Sequence, residues 1–467
     1  MNLSTLAIAI GVMCLAGPVI LDPPEGMLAS AWQAAGLAAL MALWWLTEPI
    51  PLAATALLPL AAAPVLGLIP FANVASYYSH PIIILFLGGF LLAKAIEKWG
   101  LHQRLAQRML GIAGQSQRGI LAAVMMTTAF LSLWISNTAS AMVIAPIVAA
   151  IAGSQKSHEK FGTALMLGVA FSATIGGMGS LIGTPPNAIF AAYVGTTYGI
   201  EIGFAQWAAI GLPVSAVLLV ITWLVLVCVT PGVSADMPHM SFDPPDTGMS
   251  VAERRTAVVA VLTALAWIMR PVVDWLIPGL SLTDAGIAMI AAVALFLLPA
   301  GRGERLLDWD MAASLRWDVL VLFGGGLALA GIMERSGLAS WIGGQTEALH
   351  SMPTLLLIFL IAALIVYVGE LASNTAMAAV FLPVASAAAV ALGRDPIGFL
   401  LPVALAASVG FMLPVATPPN AIVFGTSYVT RTDMLRAGVP LDVIGIVAAV
   451  LVSVFLGPMV FSPDAAW

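Results

Sequence analysis

Ser, Asn and Thr side chains and paired prolines recur in the same order at two places in this chain, each time inside apolar sequence. Ser136-Asn137-Thr138 precedes Gly183-Thr184-Pro185-Pro186-Asn187, and Ser373-Asn374-Thr375 precedes Ala416-Thr417-Pro418-Pro419-Asn420. Ser, Asn and Thr are strong helix N-cap residues, so a chain that turns at Ser136-Asn137-Thr138 starts a new half-helix at Ala139, whose free N–H groups and dipole attract an anion. A second half-helix starts at Ala376. Pro185-Pro186 and Pro418-Pro419 cannot continue the hydrogen-bond ladders of helices begun near Phe161 and Pro396, so each helix breaks and leaves carbonyls such as those of Gly183 and Ala416 without partners. Such carbonyls attract a small cation, and the side-chain oxygens of Asn137, Asn374 and Ser132 stand near enough in sequence to join them. The pattern predicts two oxygen-lined cation sites flanking one site for a small doubly charged anion. The plainer alternative is that the breaks only cap and kink helices. Two copies at one repeat spacing favour the binding reading.

Composition supplies the setting. With 61% hydrophobic and only 9% charged residues, the chain of 467 residues is a polytopic membrane protein. A spanning helix needs about 20 apolar residues, and roughly ten or more such segments lie between Leu6 and Phe461. Lipid offers no hydrogen-bond partners, so polar hydroxyls and proline breaks at membrane depth require a cavity or a ligand. Other chemistries find no support in the residues. Cys14 and Cys228 are far apart in apolar helices and read as buried packing. His80, His102, His158, His239 and His350 form no metal pair at helical spacing. There is no phosphate-binding glycine loop, neither Ser136 nor Ser373 has a His or Lys to activate it, and a net charge of -6 suggests no nucleic-acid partner. A cleavable signal peptide is not expected, because the first helix lacks a basic start. The residues therefore point to transport rather than to enzymatic catalysis or a channel.

The elements that position the two signatures repeat as well. Phe86-Leu87-Gly88-Gly89 matches Phe323-Gly324-Gly325-Gly326, Trp99-Gly100-Leu101 matches Ser336-Gly337-Leu338, Ser136 matches Ser373 and Pro146 matches Pro383, all at an offset of 237 residues. The Thr-Pro-Pro-Asn pair has an offset of 233. This predicts an N-terminal helix in 1–31, a first repeat over 32–230, a cytoplasmic Pro/Asp/Ser-rich linker over 231–255, a second repeat over 256–457 and a tail over 458–467. Within the repeats, re-entrant hairpins are expected at about 119–152 and 353–392, and broken helices at about 161–198 and 396–429.

Arms Gly119–Ile135 and Ala139–Ile151 span about 25 and 20 Å at 1.5 Å per residue, too short for the roughly 30 Å hydrocarbon core. Pro353–Ala372 is long enough to cross, so the second hairpin rests on the repeat. Lys94, Lys98, Arg104, Arg108 and Arg118 precede the first hairpin and Lys156 and Lys160 follow it, whereas Arg335 and Arg394 alone flank the second. Lys and Arg collect on the cytoplasmic side. Placing 14 of the 17 basic residues there gives inverted repeats, a cytoplasmic N-terminus and an extracytoplasmic C-terminus. The segment Ile96–Gln117 reads as an amphipathic surface helix that braces the hairpin.

These residues resemble the divalent anion/sodium symporter family, whose members carry Ser-Asn-Thr at two opposed hairpin tips and Thr-Pro-Pro in two broken helices. The resemblance covers nearly the whole chain. It implies an all-α inner-membrane protein with about eleven spanning helices plus two re-entrant hairpins, working as a homodimer by elevator-like movement. It places substrate contacts at Ser136, Asn137, Thr138, Thr184, Pro185, Ser373, Asn374, Thr375, Thr417 and Pro418. One sodium falls among Ser132, Ser136, Asn137 and Gly183, and a second among Gly369, Ala372, Asn374 and Ala416. The second set is poorer, because Gly369 stands where Ser132 stands in the first.

The implied activity is sodium-coupled import of a C4-dicarboxylate such as succinate, malate or fumarate. Sodium-independent dicarboxylate exchange and transport of sulfate or another inorganic oxyanion fit the same motifs. Glu370, opposite Leu133 of the first repeat, is either a cation or proton neighbour or a brace for the hairpin; the brace is the favoured reading. Glu48, in the Thr47-Glu48-Pro49 break, is expected at the cytoplasmic interface.

Overall fold

The computed structural model describes residues 3–111, 116–153, 159–229, 248–277, 279–280, 282–301, 303–345 and 349–461. Most of the 231–255 linker, with Lys156, His158, His239 and Arg302, lies outside them. Among the described residues the architecture is all-helical apart from a two-stranded antiparallel ribbon, Pro299–Gly301 with Glu304–Arg305. Gly301 and Gly303 beside the ribbon take positive φ, which glycine alone adopts without strain.

Among the described residues, seven helices are long and apolar enough to cross a bilayer, or eight if the bent pair Phe71–Tyr77 and Pro81–Lys98 is one span. Their surroundings differ sharply. The apolar window of Lys160–Met178 is enclosed throughout by the rest of the protein, with Lys160 itself exposed at its end, whereas only 22% of that of Val251–Leu276 is covered and Val258, Val261, Leu262, Leu265 and Val272 are exposed along it. A stripe of that kind suits lipid contact, and the protein is a multi-pass membrane protein.

The first hairpin pairs Gln117–Ser132 with Asn137–Gly153, and the first broken helix runs Glu159–Met178, then Pro185–Tyr198. The second hairpin pairs Thr354–Gly369 with Asn374–Ala391, and the second broken helix runs Pro396–Ala406, then Pro418–Phe424. Packing between the two sets is reciprocal. Pro185–Tyr198 lies on Asn374–Ala391 and Pro396–Ala406, while Pro418–Phe424 lies on Asn137–Gly153 and Glu159–Met178. Phe171 meets Phe411 edge to face at 5.2 Å where the two sets cross. A separate group of helices walls them: Pro81–Lys98 packs on Asp284–Leu297, and Phe86 meets Phe323 of Trp317–Arg335 at 5.0 Å.

Several boundaries differ from the expectations. The half-helices begin at Asn137 and Asn374, two residues before Ala139 and Ala376, because Ser136 and Ser373 alone serve as caps and the next residues already form the first turn. The first arm of the second hairpin is 16 residues, about 24 Å, because it ends at Gly369; it falls short of the roughly 30 Å core after all. The capping box of Ser250 and Glu253 starts the following helix at Val251, inside the expected linker. The amphipathic helix starts at Leu101, since Gly100 at φ 67° ends the preceding helix, and it packs on Gln117–Ser132. Cys14 is half-buried and Cys228 exposed, so neither is the buried packing residue expected. In a membrane protein a small apolar side chain fits the lipid face as well as the core.

Candidate functional site

Both signatures converge on one cavity of about 650 Å³. Its lining includes Ser136, Asn137, Thr138, Gly183, Thr184 and Pro185 from the first set, and Ala372, Ser373, Asn374, Thr375, Ala416, Thr417 and Pro418 from the second. Ser132 and Gly369 are the two predicted residues that do not line it. Each is fully buried one helical turn behind its hairpin turn.

The first hairpin turn is built by local hydrogen bonding. Ser136 caps the second arm: its Oγ accepts from the Ala139 N–H at 3.2 Å and its carbonyl from Ser140. Ser132 Oγ donates to Asn137 Oδ1 at 3.1 Å, which brings two of the predicted cation ligands into contact. Asn137 is pressed against the first break, where a Cβ on Gly177 would come within 2.4 Å of Asn137 Oδ1. In the second turn Ser373 also occupies the cap position, but its side chain makes no cap bond, so the N–H groups of the first turn are left for another acceptor.

The proline pairs open the helices as expected. Pro185-Pro186 and Pro418-Pro419 occupy the first positions of the distal halves, where a missing N–H costs nothing, and Thr184 and Thr417 hold extended conformations before them. Thr417 Oγ1 accepts from Asn420 N–H at 3.3 Å. Among the described residues neither the Gly183 nor the Ala416 carbonyl accepts a hydrogen bond. Gly183 packs so closely on Gly177 that a Cβ would meet the Gly177 carbonyl oxygen at 2.4 Å.

What holds the breaks open was not singled out from the sequence. Asn187 Nδ2 donates to the carbonyls of Gly177 at 3.2 Å, Met178 at 3.4 Å and Ser180 at 2.8 Å. Asn420 Nδ2 donates to Gly410 at 3.1 Å and Leu413 at 3.0 Å. Both asparagines are fully buried. Their place at the end of each Thr-Pro-Pro-Asn motif was the available signal. Glu370, 1% exposed, accepts from Met412 N–H at 2.9 Å and Leu413 N–H at 2.8 Å, so it ties the second hairpin to the second break as the brace reading expects.

The opposite wall comes from helices that carry neither signature, so nothing in the sequence tied it to the site, although Phe86 lies in the repeated Phe-Leu-Gly-Gly segment and Glu48 in the Thr-Glu-Pro break. Phe86, Phe90, Lys94 and Glu97 line it, with Glu48 and Arg316. Lys94 pairs with Glu97 at 3.0 Å, and Arg316 pairs bidentately with Asp318 at 2.8 Å, so each cation already has a carboxylate partner. Glu48 is exposed at the cavity and left-handed at φ 45°. The arrangement can hold a small anion between two helix N-termini through neutral donors, with bare carbonyls and amide oxygens alongside for cations.

Comparison with known proteins supports the assignment. Residues 2–462 match the sodium:sulfate symporter transmembrane region. The chain is 40% identical to the sodium-dependent dicarboxylate transporter SdcS of Staphylococcus saprophyticus, over 91% of this chain and 86% of that protein. It is 38% identical to SdcS of Staphylococcus aureus strain USA300, over 91% and 85%. In fold it is similar to the YdaH transporter of Alcanivorax borkumensis, with a TM-score of 0.59 at 13% identity, covering 97% of this chain and 98% of that one. The chain belongs to the sodium:sulfate symporter family, the divalent anion/sodium symporters that its motifs resemble, and is a transporter rather than an enzyme.

Proposed function

We propose that the protein is a secondary transporter of the inner membrane that imports a C4-dicarboxylate, such as succinate, malate or fumarate, together with sodium. The observation that carries this reading is the convergence of both Ser-Asn-Thr turns and both Thr-Pro breaks on one cavity. Two sodium-dependent dicarboxylate transporters at 38 and 40% identity support the substrate class and the coupling ion.

In this reading each carboxylate faces one helix N-terminus. Ser136, Asn137 and Thr138, with Thr184 and Pro185, contact one end of the substrate. Ser373, Asn374 and Thr375, with Thr417 and Pro418, contact the other. One sodium is bound by Ser132, Ser136, Asn137 and Gly183, and a second by Gly369, Ala372, Asn374 and Ala416. Sodium offsets the repulsion of a dianion held without a free basic side chain. When sodium leaves for the low-sodium cytoplasm, that offset is lost and the anion follows.

The reciprocal packing of the hairpins and broken helices is what two inverted repeats would produce, with bounds near 32–230 and 256–457. The cavity has Lys94, Glu48 and Arg316 on its wall, residues assigned to the cytoplasmic side by the distribution of basic residues, and the conformation is read as inward-open. Elevator-like movement of the hairpins and broken helices against the helices that wall them, in a homodimer, completes the reading. The N-terminus is cytoplasmic and the C-terminus extracytoplasmic.

Uptake of labelled succinate and labelled sulfate into proteoliposomes, with and without an inward sodium gradient, tests it. Succinate uptake that requires sodium is the expected result. Sulfate uptake in its place, or succinate exchange indifferent to sodium, overturns the reading. Asn137→Ala and Asn374→Ala should each abolish uptake while the protein stays monodisperse.

A further inference from the structure

A column of three aromatic rings ends at the turn of the first hairpin. The connection 133–136 joins Gln117–Ser132 to Asn137–Gly153. Among the described residues its backbone hydrogen bonds stay within its own hairpin: Leu133 N–H donates to Phe130, and those of Trp134 and Ile135 to Leu131. Trp134, two residues before Ser136, reaches sideways instead. Its ring stacks on Phe204, at the start of Phe204–Val229, with centroids 6.1 Å apart and planes 22° from parallel. Phe204 in turn stacks on Trp267 of Val251–Leu276, at 4.9 Å and 21°.

The two inner rings are fixed by one residue. Phe204 is 5% exposed and its N–H donates to Asp284 Oδ2 at 2.7 Å, while Trp267 is 1% exposed and its Nε1 donates to the Asp284 carbonyl at 3.0 Å. Asp284 is itself paired with Arg270 at 3.1 Å. Phe204 therefore stands at a set position, with Trp267 on one side and Trp134 on the other.

Offset-stacked rings at such separations attract one another beyond what their burial supplies, and the attraction is lost when one ring moves away. The second hairpin is held by different chemistry. At the repeat offset of 237 residues Leu133 corresponds to Glu370, which bonds the N–H groups of Met412 and Leu413, and Trp134 corresponds to Leu371, which is exposed and lines the cavity. Leu133 can only pack, against Gly179, where a Cβ would come within 2.8 Å of Leu133 Cδ2. The first turn has no carboxylate clamp, and the aromatic stack stands in its place.

We propose that Trp134 is a positioning residue for the first sodium site and the first half of the substrate site. Stacked on the Phe204 and Trp267 column, it fixes the turn from which Ser136, Asn137 and Thr138 present their oxygens and N–H groups to the cavity. Ligands one or two residues away feel any shift of the turn, because a displacement of about 1 Å is enough to spoil a binding geometry.

The inference rests on the reading of this turn as part of the binding site, and its test has one arm that does not. Hydrogen–deuterium exchange of the purified protein, read by mass spectrometry without any ligand, should be severalfold faster over the turn in Trp134→Ala than in the wild type. In proteoliposomes Trp134→Ala should raise the half-saturating sodium concentration about two- to tenfold, the equivalent of one lost aromatic pair, while the maximal rate of uptake falls less. Trp134→Phe keeps a ring for the stack and should stay near the wild type in both arms. Phe204→Leu breaks the column one ring further from the turn and should shift both readouts in the direction of Trp134→Ala. It carries the test if Trp134→Ala is not monodisperse.

Unchanged exchange over the turn in Trp134→Ala overturns the proposal whatever the protein carries. A fall in maximal rate with an unmoved sodium curve marks Trp134 as packing alone and overturns it too. So does a Trp134→Phe variant as impaired as Trp134→Ala. If the wild type carries no dicarboxylate, the functional reading fails while the exchange arm still decides whether Trp134 fixes the turn.

Discussion

Asn187 and Asn420 do the same work in two different breaks: each side-chain amide bonds the carbonyls ten and seven residues before it. Each is the last residue of a Thr-Pro-Pro-Asn motif, and each leaves its Oδ1 buried without a partner. An unwound segment inside a membrane protein has carbonyls that no water reaches, and two amide groups supply the missing donors.

Replacement of Asn187 by Leu removes three donor contacts at once. A buried carbonyl left unpaired costs about 1–3 kcal/mol, so a loss of about 3 kcal/mol or more is expected for Asn187→Leu and somewhat less for Asn420→Leu. Asn187→Asp should be nearly as damaging, since an ionised carboxylate keeps the shape but cannot donate. Thermal melting of the purified variants in one detergent reads the effect. A wild-type melting temperature in Asn187→Leu would mean that the latch contributes nothing.

Gly177 permits the first hairpin turn to touch the first break. A Cβ there would fall 2.4 Å from Asn137 Oδ1 and 2.9 Å from its Nδ2, closer than real atoms come, and the short Asn137 side chain has to move. Gly177→Ala is therefore expected to resemble Asn137→Ala: sodium-driven uptake falls by an order of magnitude or more, as a misplacement near 1 Å typically costs about 100-fold. Expression and melting should change much less. Wild-type uptake in Gly177→Ala would show that Asn137 need not sit where it does.

These two residues also mark where the sequence was legible and where it was not. The Ser-Asn-Thr turns and the Thr-Pro breaks were readable because capping hydroxyls and prolines have local consequences, whatever surrounds them. Pro185 and Pro418 start helices where they stand, and Ser136 caps one. The start of each half-helix was misplaced by two residues because the tripeptide offers three capping side chains and only tertiary packing selects Ser136 and Ser373. Lys94 and Arg316 could not be connected with the site, since they reach it from helices that carry neither signature, and Phe86 was legible only as part of the repeat.

Outside the cavity, Arg270 concentrates three acids at the junction of two helices. It contacts Asp284 at 3.1 Å, Glu201 at 2.7 Å and Asp274 at 3.4 Å. Asp284 is 6% exposed and also accepts from Phe204 N–H at 2.7 Å. Breaking a buried pair from one side costs about 3–5 kcal/mol, because the remaining charge is stranded, so Arg270→Met should lower the melting temperature markedly. Pairing it with Asp284→Asn should restore part of the loss. A double variant no more stable than Arg270→Met would argue against Asp284 as the stranded partner.

The two proposed cation sites differ by one side chain, and the difference can be engineered away. Ser132 hydrogen-bonds Asn137 behind the first turn, while Gly369 occupies the matching position behind the second and offers only its backbone. Loss of one oxygen ligand in Ser132→Ala, at about 1–1.5 kcal/mol, should raise the half-saturating sodium concentration roughly five- to tenfold. The reverse change has room. A Cβ on Gly369 would meet only Met377 Cγ, at an ordinary 3.8 Å, so the backbone there has room for the Cβ that Gly369→Ser adds to carry the missing hydroxyl. If the second site binds sodium as proposed, Gly369→Ser should lower the half-saturating concentration in the same uptake assay and steepen the dependence on sodium. An unchanged sodium curve in Gly369→Ser, with Ser132→Ala shifted as expected, would leave the first site standing and remove the second.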